Sequence, residues 1–118
     1  MREVFQRELA QLRANLTLMC ALVGESMQRA TQALLETDLH LSEQVISADD
    51  DVDRLSTRCE EQTFSLLALQ APVAGDLRVV AALLQVIKNI ERMGDQCVNI
   101  AKLIPLSGHE PPVQDEIM

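Results

Sequence analysis

The chain has 118 residues, of which 47% are hydrophobic, so it can form one compact domain and is too apolar for disorder over most of its length. Its 18 acidic and 10 basic residues give a formal net charge of −8. Because the basic residues are scattered, this balance argues against nucleic-acid binding and against anionic membrane surfaces, and favours cations or basic protein surfaces as partners.

The core must be aliphatic, since the chain has two Phe and neither Trp nor Tyr. An aliphatic core of this kind favours helices over an antiparallel sheet. The three cysteines form no CxxC pair, and no secretory signal or apolar run of about 18 residues occurs. We interpret Cys59 and Cys97 as core residues of a protein in a reducing compartment, with thiol chemistry as the alternative. We therefore expect a cytoplasmic protein without direct membrane insertion.

Two long amphipathic helices are predicted first along the chain. Apolar residues recur in steps of three and four from Phe5 to Leu34, which predicts a helix over about Arg2 to Glu36. Thr37 or Asp38 can then serve as the N-cap of a second helix, over about Leu39 to Gln70.

A chain reversal and a third helix follow. Pro72 lies in the segment QAPVAGDLR and fits the first turn of a helix. Apolar spacing resumes at Leu77 and continues to Ala101, and Pro105 is expected to stop this third helix. Three helices of about 30 residues with short connections predict an all-α fold, an antiparallel three-helix bundle.

The composition divides the chain into two parts. Residues 1–104 form the predicted bundle, whereas residues 105–118 read as a linker and the start of a further helix, as in a truncated second repeat.

Four carboxylates interrupt the apolar seams of the second and third helices. Asp49 and Glu91 each occupy a seam position, where an unpaired buried charge is costly, and Asp53 and Asp95 follow them by one turn. Asp53 and Glu91 are each 19 residues from Pro72, and Asp49 and Asp95 are each 23 residues from it. If the helices fold back about Pro72, the two couples should therefore face each other.

Four converging carboxylates need either a cation or protons. Oxygen ligands select hard ions such as Mg, Ca, Mn or iron, and the lack of histidine argues against catalytic zinc and the di-iron oxidase pattern. His40 and His109 are interpreted as solvent-facing. Asp50 and Asp51 are best explained as part of a solvated acidic face.

The sequence leaves two questions about the cluster open: what neutralises the acids, and why a glycine lies beside Asp95. Arg92 and Lys88 could neutralise the acids, which would make the cluster purely structural. Gly94, beside Asp95, is explained equally well by close approach of a neighbouring helix or access for a bound ion and by simple tolerance of a glycine.

The segment LQAPVAGDLRVVAALLQVIKNIERMGDQCVNIAKL resembles the PhoU family, whose pattern is QxPVAxDLR followed by an ERxGDxxxNIA helix. The upstream stretch VISADDDVDRL matches the family's Asp-containing second helix. The resemblance covers about Phe5 to Ile104, which corresponds to the first of the family's two three-helix repeats.

The resemblance implies a function. PhoU-type proteins are cytoplasmic regulators that link the phosphate ABC transporter to a sensor histidine kinase, repress the phosphate-starvation response, carry metal on E/D-x-x-x-D motifs and tend to self-associate. Carried onto this chain, the metal ligands are Asp49, Asp53, Glu91 and Asp95, and the protein is not an enzyme. A metal-dependent phosphohydrolase and a purely structural bundle are the competing functions, although no nucleophile, general base or phosphate loop accompanies the acids.

Overall fold

The computed structural model describes residues 2–69 and 74–107. They form three α-helices: α1 (Arg2–Glu36), α2 (Leu39–Leu69) and α3 (Ala74–Ser107). The predicted all-α fold is confirmed, and α1 has the predicted bounds. Gln70, His109 and the predicted further helix lie outside the described residues.

Contacts between level residues show that consecutive helices run antiparallel. Asn15 of α1 donates a hydrogen bond to Gln62 of α2 at 2.9 Å, and Ser42 near the start of α2 contacts Ala101 near the end of α3. Every helix packs against the other two. The described chain is a rod of 58 × 23 × 18 Å, and none of its helices is long and apolar enough to span a bilayer.

The core consists of side chains from the three-and-four seams of all three helices, as expected for amphipathic helices that bury one face. Cys59 and Cys97 are fully buried free thiols, which confirms their interpretation as core residues. The main core cluster is aliphatic apart from sulfur, and its buried members are Leu12, Met19, Val23, Val52, Cys59, Leu66, Ile87 and Ile90.

A tight turn joins α1 to α2. Thr37 has a positive φ of 53°, and the amide of Asp38 donates to the Ala33 carbonyl at 3.0 Å, which is the Schellman arrangement for ending a helix. The Asp38 carboxylate then accepts a hydrogen bond from the Leu41 amide at 3.1 Å. Of the two predicted N-caps, Asp38 is therefore the one used.

The predicted end of the third helix was wrong. Pro105 lies inside α3, which continues to Ser107. A proline inside a helix lacks the amide hydrogen that would bond to the carbonyl four residues earlier, here that of Ala101. The Ser42 hydroxyl donates to this carbonyl at 2.6 Å in a buried contact. A side chain of α2 thus satisfies the group that Pro105 leaves open, and α3 can continue.

Candidate metal centre

The candidate metal centre lies where α2 and α3 pass each other near the middle of the rod. One carboxylate oxygen from each of Asp49, Asp53 and Asp95 lies within 4.8 Å of the other two. Asp49 is half-buried, whereas Asp53 and Asp95 are exposed. The level pairing about Pro72 predicted this convergence, and the structure brings these three residues together.

Glu91 is outside this group of three. It is half-buried on the same stretch of α3, and its charge is, after partial burial, the next cause that raises the pKa of Asp53. Its negative charge therefore contributes to the field of the cluster, while its place among metal ligands stays a prediction.

Gly94 is what allows α2 and α3 to approach at this point. A Cβ atom on Gly94 would lie 3.1 Å from Asp49 Oδ1, 3.4 Å from Val52 Cγ1 and 3.7 Å from Val23 Cγ2. A side chain here would therefore press on both the cluster and the core. Of the two explanations for this glycine, close approach of neighbouring helices is the one the structure supports.

Burial and mutual repulsion disfavour ionisation of the cluster. The pKa of Asp49 is raised from 3.8 to about 6, mainly because burial removes water from its carboxylate and then because Asp53, Asp95, Asp50 and Glu91 are also negative. The pKa of Asp53 is raised by partial burial and by the charges of Glu91, Asp95 and Asp50. Three carboxylates at this spacing are electrostatically unfavourable when all are ionised and no cation is present.

Asp49 also has a buried oxygen without a hydrogen-bond donor. Its Oδ1 is buried and accepts no hydrogen bond from the described residues. Among residues 2–69 and 74–107, the ion pairs are Arg29–Glu25 and Arg54–Asp51, so neither Lys88 nor Arg92 neutralises the cluster. A buried acceptor without a donor is uncommon in native proteins, and a hard cation with oxygen ligands would satisfy it.

The described histidine and the cysteine near the cluster do not indicate a zinc site or thiol chemistry. His40 is exposed, as predicted, and its ring nitrogen contacts Gln44 at 3.2 Å. The pKa of the Cys97 thiol is raised by burial and by the charge of Asp49, which disfavours the reactive thiolate.

Sequence reasoning overlooked the polar side chains in the core of α2. Ser42, Ser56 and Thr63 are buried, and the Ser56 hydroxyl has no hydrogen-bond partner among the described residues. The spacing could have predicted the burial of Ser56 and Thr63, because both lie on the buried three-and-four seam of α2. This seam consists of Val45, Val52, Ser56, Cys59, Thr63 and Leu66.

Comparison with known proteins identifies the family. The model of the PhoU domain matches residues 16–104 of this chain, a span that includes the whole carboxylate cluster and its supporting glycine. The chain belongs to the PhoU family.

Individual relatives show how much of a PhoU protein the chain represents. It is 50% identical over 103 residues to "Phosphate-specific transport system accessory protein PhoU homolog 2" of Mycobacterium tuberculosis (strain ATCC 25618 / H37Rv), with 87% of this chain and 48% of the relative covered. It is 48% identical over 102 residues to PhoU homolog 1 of Mycobacterium leprae (strain TN), covering 86% and 46%. It is 36% identical over 108 residues to the PhoU homolog of Aquifex aeolicus (strain VF5), covering 92% and 49%. The chain thus spans about half the length of the curated relatives it matches.

Proposed function

We propose that this chain is a cytoplasmic, non-enzymatic regulator of phosphate uptake and phosphate-starvation signalling. Membership of the PhoU family supports this proposal most strongly, because the matched relatives are named accessory proteins of the phosphate-specific transport system. The partners proposed from the resemblance are the ATPase of the phosphate ABC transporter and a sensor histidine kinase, on which the chain acts as a negative regulator. Self-association is part of the same proposal.

The proposal includes a hard cation, such as iron, Mn or Mg, held by Asp49, Asp53 and Asp95, with Glu91 completing the ligand set. The buried oxygen of Asp49 that accepts no hydrogen bond supports it, as do the convergence of three carboxylates and the lack of a neutralising ion pair among the described residues. Such an ion would be part of the scaffold, because among the described residues the thiol near the acids, that of Cys97, is buried, and its pKa is raised by burial and by the charge of Asp49, which disfavours a nucleophilic thiolate.

Metal content tests the cation part of the proposal. The wild-type chain, purified without chelator, should retain about one cation that prefers oxygen ligands. The triple variant Asp49→Asn/Asp53→Asn/Asp95→Asn should retain none. Glu43→Gln/Glu61→Gln is the matched control, since it removes two exposed charges of α2 that shift the pKa of neither Asp49 nor Asp53, and it should bind like wild type. Equal and negligible metal in all three proteins would end the metal hypothesis.

A pull-down tests the regulatory part. The chain, loaded with the cation found above, should retain the transporter ATPase and the sensor kinase encoded in the same genome. Failure to retain either protein, with the chain shown to be folded by circular dichroism, would contradict the proposed role in signalling.

A further inference from the structure

A buried hydroxyl close to the candidate metal centre has no hydrogen-bond partner. Ser56 of α2 is 1% exposed, and its Oγ makes no hydrogen bond with the described residues. The other buried hydroxyls of α2 are paired, because Ser42 donates to the Ala101 carbonyl at 2.6 Å and Thr63 donates to the Cys59 carbonyl at 2.7 Å. A buried polar group without a partner is uncommon in native proteins and calls for an explanation.

The spacing of α2 places Ser56 on the side of the helix that faces α3. Ser42, Asp49 and Ser56 follow one another at intervals of seven residues and so share nearly the same side of α2. The first two meet α3 directly, because Ser42 contacts the Ala101 carbonyl and Asp49 Oδ1 borders the open space at Gly94. Since α2 and α3 are antiparallel, the next step of seven residues places Ser56 against the part of α3 that precedes Gly94.

Glu91 lies on that part of α3, and its carboxylate is also without a partner. It is half-buried, and it makes no ion pair with Lys88 or with any other described residue. No hydrogen bond of the described residues includes its carboxylate. Its charge raises the pKa of Asp53, which shows that Glu91 is close to the stretch of α2 that contains Ser56.

Ser56 and Glu91 are related across the two helices in the same way as two members of the cluster. Ser56 follows Asp53 by three residues and Glu91 precedes Asp95 by four, which is one turn further along each helix. Carboxylate oxygens of Asp53 and Asp95 lie within 4.8 Å of each other. The equivalent pair one turn away therefore combines an unpaired donor with an unpaired acceptor.

The directions of the two side chains bring them toward each other. In an α-helix, side chains lean toward the N-terminus of their own helix. Because α2 and α3 run in opposite directions, Ser56 leans toward the level of Glu91, and Glu91 leans toward the level of Ser56. The two residues are about one turn, or 6 Å, apart along the rod, and this lean shortens the separation.

We propose that Ser56 is a positioning residue of the candidate metal centre, whose hydroxyl donates a hydrogen bond to the Glu91 carboxylate and so holds Glu91 as the fourth ligand. This inference rests on the cation site proposed above. Ligating carboxylates are generally held by a hydrogen bond from a neighbouring group, and a hydroxyl that donates to an ionised carboxylate forms a strong bond. A hydroxyl bonded only to its own helix, like that of Thr63, would not affect the cation.

Titration of the 118-residue chain with Mn²⁺ tests the proposal. Ser56→Ala should raise the dissociation constant for Mn²⁺ about 10-fold, as expected when a metal ligand loses the group that orients it. Ser56→Thr keeps the hydroxyl and should bind nearly as well as wild type. Thr63→Val is the matched control, since it removes another buried hydroxyl from the same helix, and it should bind like wild type.

A second background shows whether Ser56 acts through Glu91. Glu91→Gln should itself weaken binding of Mn²⁺, because an amide replaces the carboxylate. Adding Ser56→Ala to Glu91→Gln should then change the dissociation constant by less than about twofold. In chelator, the melting temperature of Ser56→Ala should not fall, because the substitution removes a buried hydroxyl that has no partner in the structure.

The outcomes separate this inference from the cation proposal. Wild-type affinity in Ser56→Ala would overturn the role of Ser56 and leave the cation site intact. The same conclusion would follow from an equal loss in Thr63→Val, or from a 10-fold loss that persists in the Glu91→Gln background. A folded wild type that binds no Mn²⁺ would overturn both proposals.

Discussion

Asp49 is the residue at which burial, charge and an unsatisfied acceptor coincide. It lies one turn from Asp53 on α2, and its Oδ1 is in the space that the glycine at position 94 leaves open. An aspartate in this setting opposes folding when it is ionised, and it stabilises the fold only together with a proton or a cation. Its conformation is held by the core around it, because Val52 and Val23 border the same space.

The pH dependence of stability should follow from Asp49. Its pKa rises from 3.8 to about 6 on folding, so the folded chain binds more protons than the unfolded chain between these values. In chelator, the free energy of unfolding should therefore fall as pH rises from about 4 to about 6, and remain lower above that range. Asp49→Asn should remove this contribution and be more stable than wild type by about 1 kcal/mol at pH 7, allowing for solvent screening.

Denaturant unfolding of both proteins between pH 4 and pH 7 measures this difference. The stability advantage of Asp49→Asn should be smallest at the acid end and grow through the window. An advantage that is the same at every pH would show that Asp49 does not titrate in this range.

The two helical glycines form a matched pair for a second prediction. Gly24→Ala should stabilise the chain by about 1 kcal/mol, because it adds helix propensity in open space. Gly94→Ala should lack this gain and weaken cation binding, because its Cβ would lie 3.1 Å from Asp49 Oδ1. Urea unfolding at low protein concentration and a metal titration would measure both effects. Equal stabilisation by the two substitutions, with unchanged metal affinity, would contradict the close approach.

At the scale of the helices, the end of α3 depends on a contact with the start of α2. The hydrogen bond from Ser42 to Ala101 is buried and joins residues that are 59 positions apart in the sequence. It therefore connects the two helices at the end of the rod where α1 turns into α2. The N-cap Asp38 precedes Ser42 by one turn, and its carbonyl accepts the Ser42 amide at 3.1 Å.

Substitution of Ser42 should reveal this contact. Ser42→Ala leaves the buried Ala101 carbonyl without a donor and should cost about 1 to 3 kcal/mol. In a Pro105→Ala background the restored amide at position 105 can bond to this carbonyl, so the cost of Ser42→Ala should be smaller. A double-mutant cycle by denaturant unfolding measures the coupling. Thr31→Ala, which removes an exposed hydroxyl bonded to its own helix, is the control and should change stability by less than about 0.5 kcal/mol.

The helices and their register were predictable because they depend on local pattern. Spacing by three and four predicted the buried faces, and counting residues from Pro72, which itself lies outside the described residues, predicted which residues of α2 and α3 lie level. The end of α3 was not predictable by this method, because the donor that compensates for Pro105 comes from a distant part of the sequence. Glu91 shows a second limit: level position along a helix does not determine whether a side chain reaches the same point as its neighbours.

At the scale of the whole molecule, two surfaces between neighbouring helices differ in charge. The surface between α2 and α3 carries the carboxylate cluster, whereas the one between α1 and α2 mixes Arg29, Arg54 and Arg58 with acids and apolar residues. In a chain with a net charge of −8, repulsion among acids is therefore concentrated between α2 and α3.

Divalent cations should stabilise the whole rod more than their ionic strength explains. Screening by NaCl weakens the repulsion among the acids in general, whereas Mg²⁺ or Mn²⁺ also binds the folded cluster and shifts the folding equilibrium by mass action. The melting temperature should therefore rise more with the divalent salt at matched ionic strength. In Asp49→Asn/Asp53→Asn/Asp95→Asn the two salts should raise the melting temperature equally. If the divalent salt still raised it more than NaCl did, by the same amount as in wild type, the cation would bind outside the cluster.

The contact between Ser42 and Ala101 also restricts the order in which these positions can change during evolution. A lineage that loses the hydroxyl while it keeps Pro105 passes through a less stable ancestor, whereas a lineage that first replaces the proline does not. Related sequences with proline at this position should therefore retain serine or threonine at the position of Ser42. Where the proline is absent, that position should accept alanine.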